Sequence, residues 1–251
     1  MSLKGSIHLQ GMSMLSIKAL FWFGIFIVFY AYLGYGMLLW LLLHVKRRPQ
    51  SYIETLIPPD VTFIVCAYNE EDWIAQKIEN SLAVNYPRQH ITFFFVTDGS
   101  DDATAKIVAE YPYPADVQWK LLHQPERRGK IAAFQRAMAF VTSPLLISTD
   151  ANTLVNPEAV QRLVDQFNDK QVGAGAGEKR ISRGEKNDAS SAGEGIYWKY
   201  ESLLKKWDAE LWSVVGAAGE LFAFRHEAYE DVPVDTLVED FYLTMRIAQK
   251  G

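Results

Sequence analysis

VTFIVCAYNEE, residues 61–71, opens with a strand-length apolar run, Val61 to Ala67, that breaks abruptly into Tyr68, Asn69, Glu70 and Glu71. The same device recurs twice. The run from Ile91 to Thr97 ends in Asp98, Gly99, Ser100, Asp101 and Asp102, and the run from Leu145 to Thr149 ends in Asp150, Ala151 and Asn152. Between these runs the spacing predicts helices over Asp72–Ala83, Asp102–Glu110 and Lys130–Val141, with a short strand at Trp119–His123. Short apolar runs separated by helical stretches imply crossover connections, hence an α/β domain with a mostly parallel central sheet and helices on both faces.

Further along, Pro157 suits the start of a helix to Phe167, and GAGAG at Gly173–Gly177 reads as a glycine-rich edge or bend. Glu178 to Glu194 is rich in Lys, Arg, Ser, Gly and Asp and reads as a loop. A helix is expected over Ile196–Ala209, a strand over Leu221–Arg225 and a last helix from Glu239.

With 251 residues, 49% of them apolar, the chain can bury one large domain and carry an extra element. A net charge of −5 argues against a nucleic-acid partner, because such binding rests on Lys and Arg neutralising phosphates. Cys66 is the single cysteine, which excludes an intrachain disulfide and a clustered-cysteine zinc site. The five histidines are scattered without ligand spacing. Ala19 to Val45 contains no Asp, Glu, Lys or Arg and is long enough to span a bilayer, with Trp22, Tyr30, Tyr32, Tyr35 and Trp40 suited to the interfaces. Lys46, Arg47 and Arg48 follow at once, against Lys4 and Lys18 before the run, so the positive-inside bias puts the C-terminal side in the cytoplasm. The expected division is a tail at 1–18, a transmembrane helix at 19–45, a basic linker at 46–59 ending in Pro58 and Pro59, and an α/β domain at 60–251.

Ligands of open α/β sheets bind beyond the carboxyl ends of the strands, where this sequence gathers its acids. Carboxylates crowded at one edge repel one another unless a cation lies between them. Hard oxygen ligands suit Mg2+ or Mn2+ held by one or two carboxylates and by substrate phosphates, with Asp150 as candidate ligand and Asn152 beside it. Asp101 and Asp102 read equally well as turn or cap residues. Arg127, Arg128, Gly129 and Lys130 precede a helix, where cations and free amides favour a diphosphate. Glu239 and Asp240 open the last helix, either as partners of its dipole or with one of them as a proton acceptor. Gly216 and Gly219 allow close backbone approach or a tight turn. Trp198 belongs to an aromatic group on the Ile196–Ala209 helix that fills core or stacks on sugar.

In order, VTFIVCAYNEE at 61–71, VTDGSDDAT at 96–104, RRGKIAAFQRAM at 127–138, LLISTDANT at 145–153, GAAGELFAFR at 216–225 and TLVEDF at 236–241 resemble the inverting family 2 glycosyltransferases of the GT-A fold. The apolar N-terminal helix is similar to that of membrane-embedded synthases of cell-surface polysaccharides, such as those of cellulose, hyaluronan or poly-N-acetylglucosamine. The resemblance implies that Ala67, Tyr68, Glu70 and Asp98 hold the base and ribose of a nucleotide sugar, usually of uridine diphosphate. It implies Lys130 near the diphosphate, Asp150 as first acid of a DxD metal motif, and Asp240 as the base that deprotonates the acceptor hydroxyl. Gly219, Glu239 and Trp198 are expected near donor or acceptor. The implied reaction is transfer of a hexose or N-acetylhexosamine to a growing glycan or lipid-linked acceptor. Two departures stand out. Asn152 replaces the second acid of DxD, and the sequence stops eleven residues after Asp240 without the QxxRW motif of processive relatives, which implies a C-terminally truncated domain. A non-catalytic sugar-nucleotide-binding or scaffolding subunit is the alternative. A nucleotidyltransferase fits less well, because CAYNEE is not its glycine-rich basic loop.

Overall fold

The computed structural model describes residues 14–45, 57–178, 189–213, 216–217 and 219–250, with side chains in the third stretch described from 197 onward. Helix α1 (Met14–Phe29) runs through a π-helical turn at Tyr30–Gly34 into α2 (Tyr35–Val45). Together they make one 32-residue helix long and apolar enough to cross a membrane. It begins earlier than the expected Ala19, because Met14, Leu15 and Ile17 continue the apolar character and nothing in the sequence stops the helix there. No residue of α1 is buried. On α2, Gly36 and Leu39 are covered, and what covers them is α7 (Ala189–Leu211). A Cβ at Gly36 would stand 2.8 Å from the Tyr200 hydroxyl, and the Tyr35 hydroxyl donates to Asp208 at 2.6 Å.

Helix α7 corrects one expectation. Residues 189–194 were expected in a loop, and they form its first turns despite Gly193 and Gly195, an instance of helix propensity yielding to context. The rest of the expected loop, 179–188, and residues 46–56 of the expected linker lie outside the described residues.

The sheet is built of β1 (Val61–Ala67), β2 (Ile91–Asp98), β3 (Gln118–Gln124), β4 (Leu145–Asp150), β5 (Ala174–Ala176) and β6 (Leu221–Arg225). Its order is β3-β2-β1-β4-β6-β5. The first four strands are parallel, and β6 runs antiparallel to both β4 and β5. The glycine-rich segment is thus an edge strand, where missing side chains cost least. Strands β1, β2 and β3 step outward in one direction, and the chain then returns to place β4 on the other side of β1. That reversal opens a crevice at the carboxyl ends of β1 and β4, where Cys66 pairs in register with Asp150.

Alternation along β1 divides the core. Phe63 and Val65 pack with Ile74 and Ile78 of α3 (Ile74–Leu82) and with Val160 and Leu163 of α6 (Ala159–Gln166). Ile64 faces the opposite layer with Ile131 and Phe134 of α5 (Lys130–Met138) and Leu243 and Ile247 of α8 (Glu239–Gln249). Helix α4 (Thr104–Glu110) joins the first layer through Val108. Burial on both faces is why the central strands read as continuous apolar runs.

Just past β2, Gly99 has φ +69, and a Cβ there would lie 2.5 Å from the Arg127 backbone nitrogen. Its amide donates to the Gln124 carbonyl at 2.8 Å. Gly99→Ala would meet both the positive φ and the clash. We expect it to lose about 1–3 kcal/mol of stability, read as a lower denaturation midpoint.

Candidate active site

The acids at the strand ends divide into two groups with different surroundings. Asn69, in left-handed conformation at φ 53, donates through Nδ2 to Asp101 at 2.6 Å and accepts the Asp101 amide at 3.1 Å. Asp102 accepts the amides of Glu71 and Thr104, and Glu71 accepts the amide of Ala103. Asp101, Asp102 and Glu71 therefore stitch the β1 and β2 loops together, which supports the turn reading of Asp101 and Asp102.

Asp98 also holds structure. It is 4% exposed; Oδ2 accepts the amides of Arg128 and Gly129, each at 2.7 Å, and Oδ1 accepts Arg136 Nη1 at 3.2 Å. Arg136 donates further to the Thr97 carbonyl at 3.0 Å. One expectation changes here: the amides of Arg128 and Gly129 are committed to Asp98 rather than free for a diphosphate. The 127–129 turn sets the Arg127 guanidinium 3.6 Å from the centre of the Tyr68 ring, which is 38% exposed.

The second group centres on Lys130. Its ammonium lies 2.8 Å from Asp150 Oδ1 and 2.7 Å from Glu239 Oε1, joining the end of β4 to the start of α8 across the crevice. Burial alone would lower the Lys130 ammonium, but the two carboxylates outweigh it and raise the pKa. Glu70 borders the same field: burial, then the charges of Asp150 and Asp102, push its carboxyl above the usual range. Cys66 sits beneath, and burial pushes its thiol up to about 12, which leaves it an uncharged packing residue.

Asp240 follows Glu239 on α8. It is 9% exposed, and Oδ1 accepts the Phe241 amide at 2.9 Å. Burial raises its carboxyl most, with Glu239 adding to the rise and the Phe241 amide and Lys130 opposing it. A Cβ at Gly219 would stand 2.6 Å from Asp240 Oδ2, so the close approach expected of this glycine is to Asp240. Thr244 holds the other side, donating to the Asp240 carbonyl at 2.7 Å and accepting the Ala217 amide at 3.2 Å. Gly219→Ala would displace the carboxylate without touching the core. If Asp240 is the base that the resemblance implies, a misplacement of about 1 Å is worth about 100-fold in rate, and the expected outcome is a kcat lower by that order with donor KM near that of the unsubstituted chain.

Other expected residues are placed as follows. Ala67, at the end of β1, is buried in the core layer of α3 and α6. Asn152 is exposed in the turn after β4. Trp198 lies against Tyr197 on α7, the helix packed on α2. Among the described residues no cluster of three or more His, Cys, Asp or Glu could hold a metal by itself. One carboxylate, Asp150, with the Asn152 amide oxygen fits an ion whose remaining ligands are water and ligand phosphates, the habit of Mg2+ and Mn2+. Two residues went unremarked in the sequence. Arg136, in RRGKIAAFQRAM, anchors Asp98, and Lys77, in the helix expected over Asp72–Ala83, is fully buried.

The profile of the family described as "Glycosyl transferase family 2" matches residues 62–232. Poly-beta-1,6-N-acetyl-D-glucosamine synthase of Staphylococcus aureus strain MSSA476 is 26% identical over 213 residues, 82% of this chain and 49% of the relative. The synthase of the same name from Staphylococcus epidermidis is 23% identical over 194 residues, 74% of this chain and 45% of the relative. The chain thus spans about half the length of the curated relatives it matches. Among solved structures, the mannosyltransferase PcManGT from Pyrobaculum calidifontis, in complex with GDP-Man and Mn2+, superposes with TM-score 0.71 at 25% identity, covering 88% of this chain and 62% of that one. TarS 1–349 of S. aureus, in complex with UDP, superposes with TM-score 0.56 at 16% identity over 75% of this chain and 55% of that one, a likeness of fold. The β1/β4 crevice, the six-stranded mixed sheet and the profile agree: this chain has the GT-A fold and belongs to glycosyl transferase family 2.

Proposed function

We propose that this chain is an inverting, metal-dependent transferase that moves a hexose or N-acetylhexosamine from a nucleotide sugar, foremost a UDP-sugar, to a growing glycan or lipid-linked acceptor in cell-surface polysaccharide synthesis. The observation that carries the reading is Lys130 held between Asp150 and Glu239 with Asp240 next in sequence, a cation gathering acids at the crevice between β1 and β4. The N-acetylhexosamine follows the names of the staphylococcal relatives, and the ion follows the Mn2+ in the mannosyltransferase complex. The GDP-Man in that complex makes guanosine the competing base.

In this reading the Tyr68–Arg127 pair and Glu70 border the nucleoside, and Lys130 offers its ammonium to the diphosphate. Asp150 and Asn152 would hold Mg2+ or Mn2+, which when bound supplies positive charge for the departing diphosphate. Asp240 takes the proton of the acceptor hydroxyl as that oxygen attacks the anomeric carbon from the side opposite the leaving group; a single base and a single displacement give inversion. The α1–α2 helix spans the membrane, and the basic residues after Val45 keep the domain on the cytoplasmic face.

Asn152 in place of an acid supports a second reading, a membrane-tethered sugar-nucleotide-binding subunit without turnover. Full-length chain in detergent, given radiolabelled UDP- and GDP-sugars with Mg2+ or Mn2+, separates the two. Transfer or donor hydrolysis abolished by a chelator is expected. Tight nucleotide binding with neither reaction under any of these conditions would leave the subunit reading.

A further inference from the structure

Helix α3 carries a lysine in the core. Lys77 is 0% exposed, and its ammonium donates to Thr149 Oγ1 at 2.9 Å and to the Thr153 carbonyl. These two acceptors bracket the turn that contains Asp150 and Asn152. Three residues on along the same helix face, Asn80 grips the next part of the strap, donating to the Val155 carbonyl and accepting the Val155 amide, each at 2.8 Å. Thr149 Oγ1 in turn donates to the Glu220 carbonyl at 2.8 Å. Glu220 follows Gly219, the residue that abuts the Asp240 carboxylate. One buried thread therefore runs from α3 under the turn after β4 to the segment that seats Asp240.

An ammonium in the core is costly, and burial pushes this one down to about 7. Packing alone does not call for it, because methionine fills a similar volume beside Phe63 without the desolvation. We propose that Lys77 is a positioning residue, holding the Asp150–Asn152 turn and, through Thr149 and Glu220, the Gly219–Asp240 contact in one fixed relation. The proposal rests on the function proposed above. It assigns the separation between donor and acceptor groups to a side chain that touches neither.

The test uses full-length chain in detergent with Lys77→Met, and with Thr149→Val as a second break in the same thread should the first variant fail to fold. Hydrogen–deuterium exchange reads the geometry without any ligand, and calorimetry reads binding of UDP with Mn2+, and of GDP with Mn2+. Expected are faster exchange confined to peptides covering 149–156 and 219–224, an unchanged or higher melting temperature because a buried charge is gone, and nucleotide–Mn2+ affinity weaker by about tenfold, as for other supports of metal-binding groups. Thr149→Val should give the same exchange pattern and the same loss of affinity, but with a lower melting temperature, because it leaves the Lys77 ammonium buried with one acceptor fewer. The double variant should show no further loss of affinity, since both cut one thread. Unchanged exchange in those peptides, or a rise spread through β2 and β3 with a lower melting temperature, would overturn the proposal. If the unsubstituted chain binds neither nucleotide, the function proposed above fails, and the exchange pattern still decides the role of Lys77.

Discussion

Asp240→Asn is expected to lower kcat for sugar transfer by about 100- to 10,000-fold, the usual worth of a positioned general base, while nucleotide–Mn2+ affinity stays near that of the unsubstituted chain. Asn keeps the size of the side chain and its contact with the Phe241 amide but cannot take a proton. The pH profile carries the same signature. Asp240 must be ionised to act, and burial, with Glu239 adding to it, raises its carboxyl. Activity should therefore fall, as pH is lowered, at a higher pH than the ordinary aspartate value of about 3.9 would give. Stability moves the other way. A carboxyl raised on folding binds its proton more tightly in the folded than in the unfolded chain, so its ionised form weighs against the fold at neutral pH. Asp240→Asn removes that weight, and the melting temperature at pH 7 should be unchanged or higher. A variant with full turnover would remove Asp240 from the chemistry.

The second large effect is at Asp150. Asp150→Ala is expected to weaken nucleotide–Mn2+ binding by about 100-fold or more, since losing a mere support of a metal ligand already costs 10- to 100-fold and Asp150 is the carboxylate proposed above to ligate the ion. Titration calorimetry with and without Mn2+ checks it: the variant should keep the weak metal-free binding and lose the increment that Mn2+ adds. Asp101→Ala is the matching control. Asp101 is an exposed acid committed to Asn69, and its loss should leave the Mn2+ increment intact. Equal losses in the two variants would mean that the acids act as a diffuse field.

The contrast between Asp101 and Asp150 also shows how far the sequence could be read. Strands and crossovers were legible because burial on both faces imposes unbroken apolar runs, and β1, β2, β4 and β6 fall where the runs do. Asp150, Lys130 and Asp240 were legible as candidates because each begins or ends an element at the crevice. What Asp98 does was not. A carboxylate at a strand end reads the same whether it faces solvent or, as here, accepts two amides from a turn about thirty residues away and a guanidinium from α5. Gly219 was legible as a place of close approach, but its neighbour is Asp240, set by α8 folding back from later in the chain. Lys77 was illegible for the opposite reason. A lysine on an amphipathic helix is ordinarily solvated, and only the tertiary path of the strap over α3 puts it under Thr149 and Thr153. The start of α7 was missed because Gly193 and Gly195 argue against helix locally.

In the proposed mechanism a divalent ion and a diphosphate meet between Asp150 and Lys130 at the carboxyl ends of β1 and β4. Anomalous diffraction at the manganese edge, from crystals of the chain grown with UDP and Mn2+, measures it directly. The predicted result is a single anomalous peak within ligand distance, about 2.0–2.6 Å for hard divalent cations on oxygen, of an Asp150 oxygen, with the diphosphate against Lys130 and Asp240 facing the open side of the crevice. A peak on the β3 side of the sheet, or a nucleotide bound away from Lys130, would contradict it.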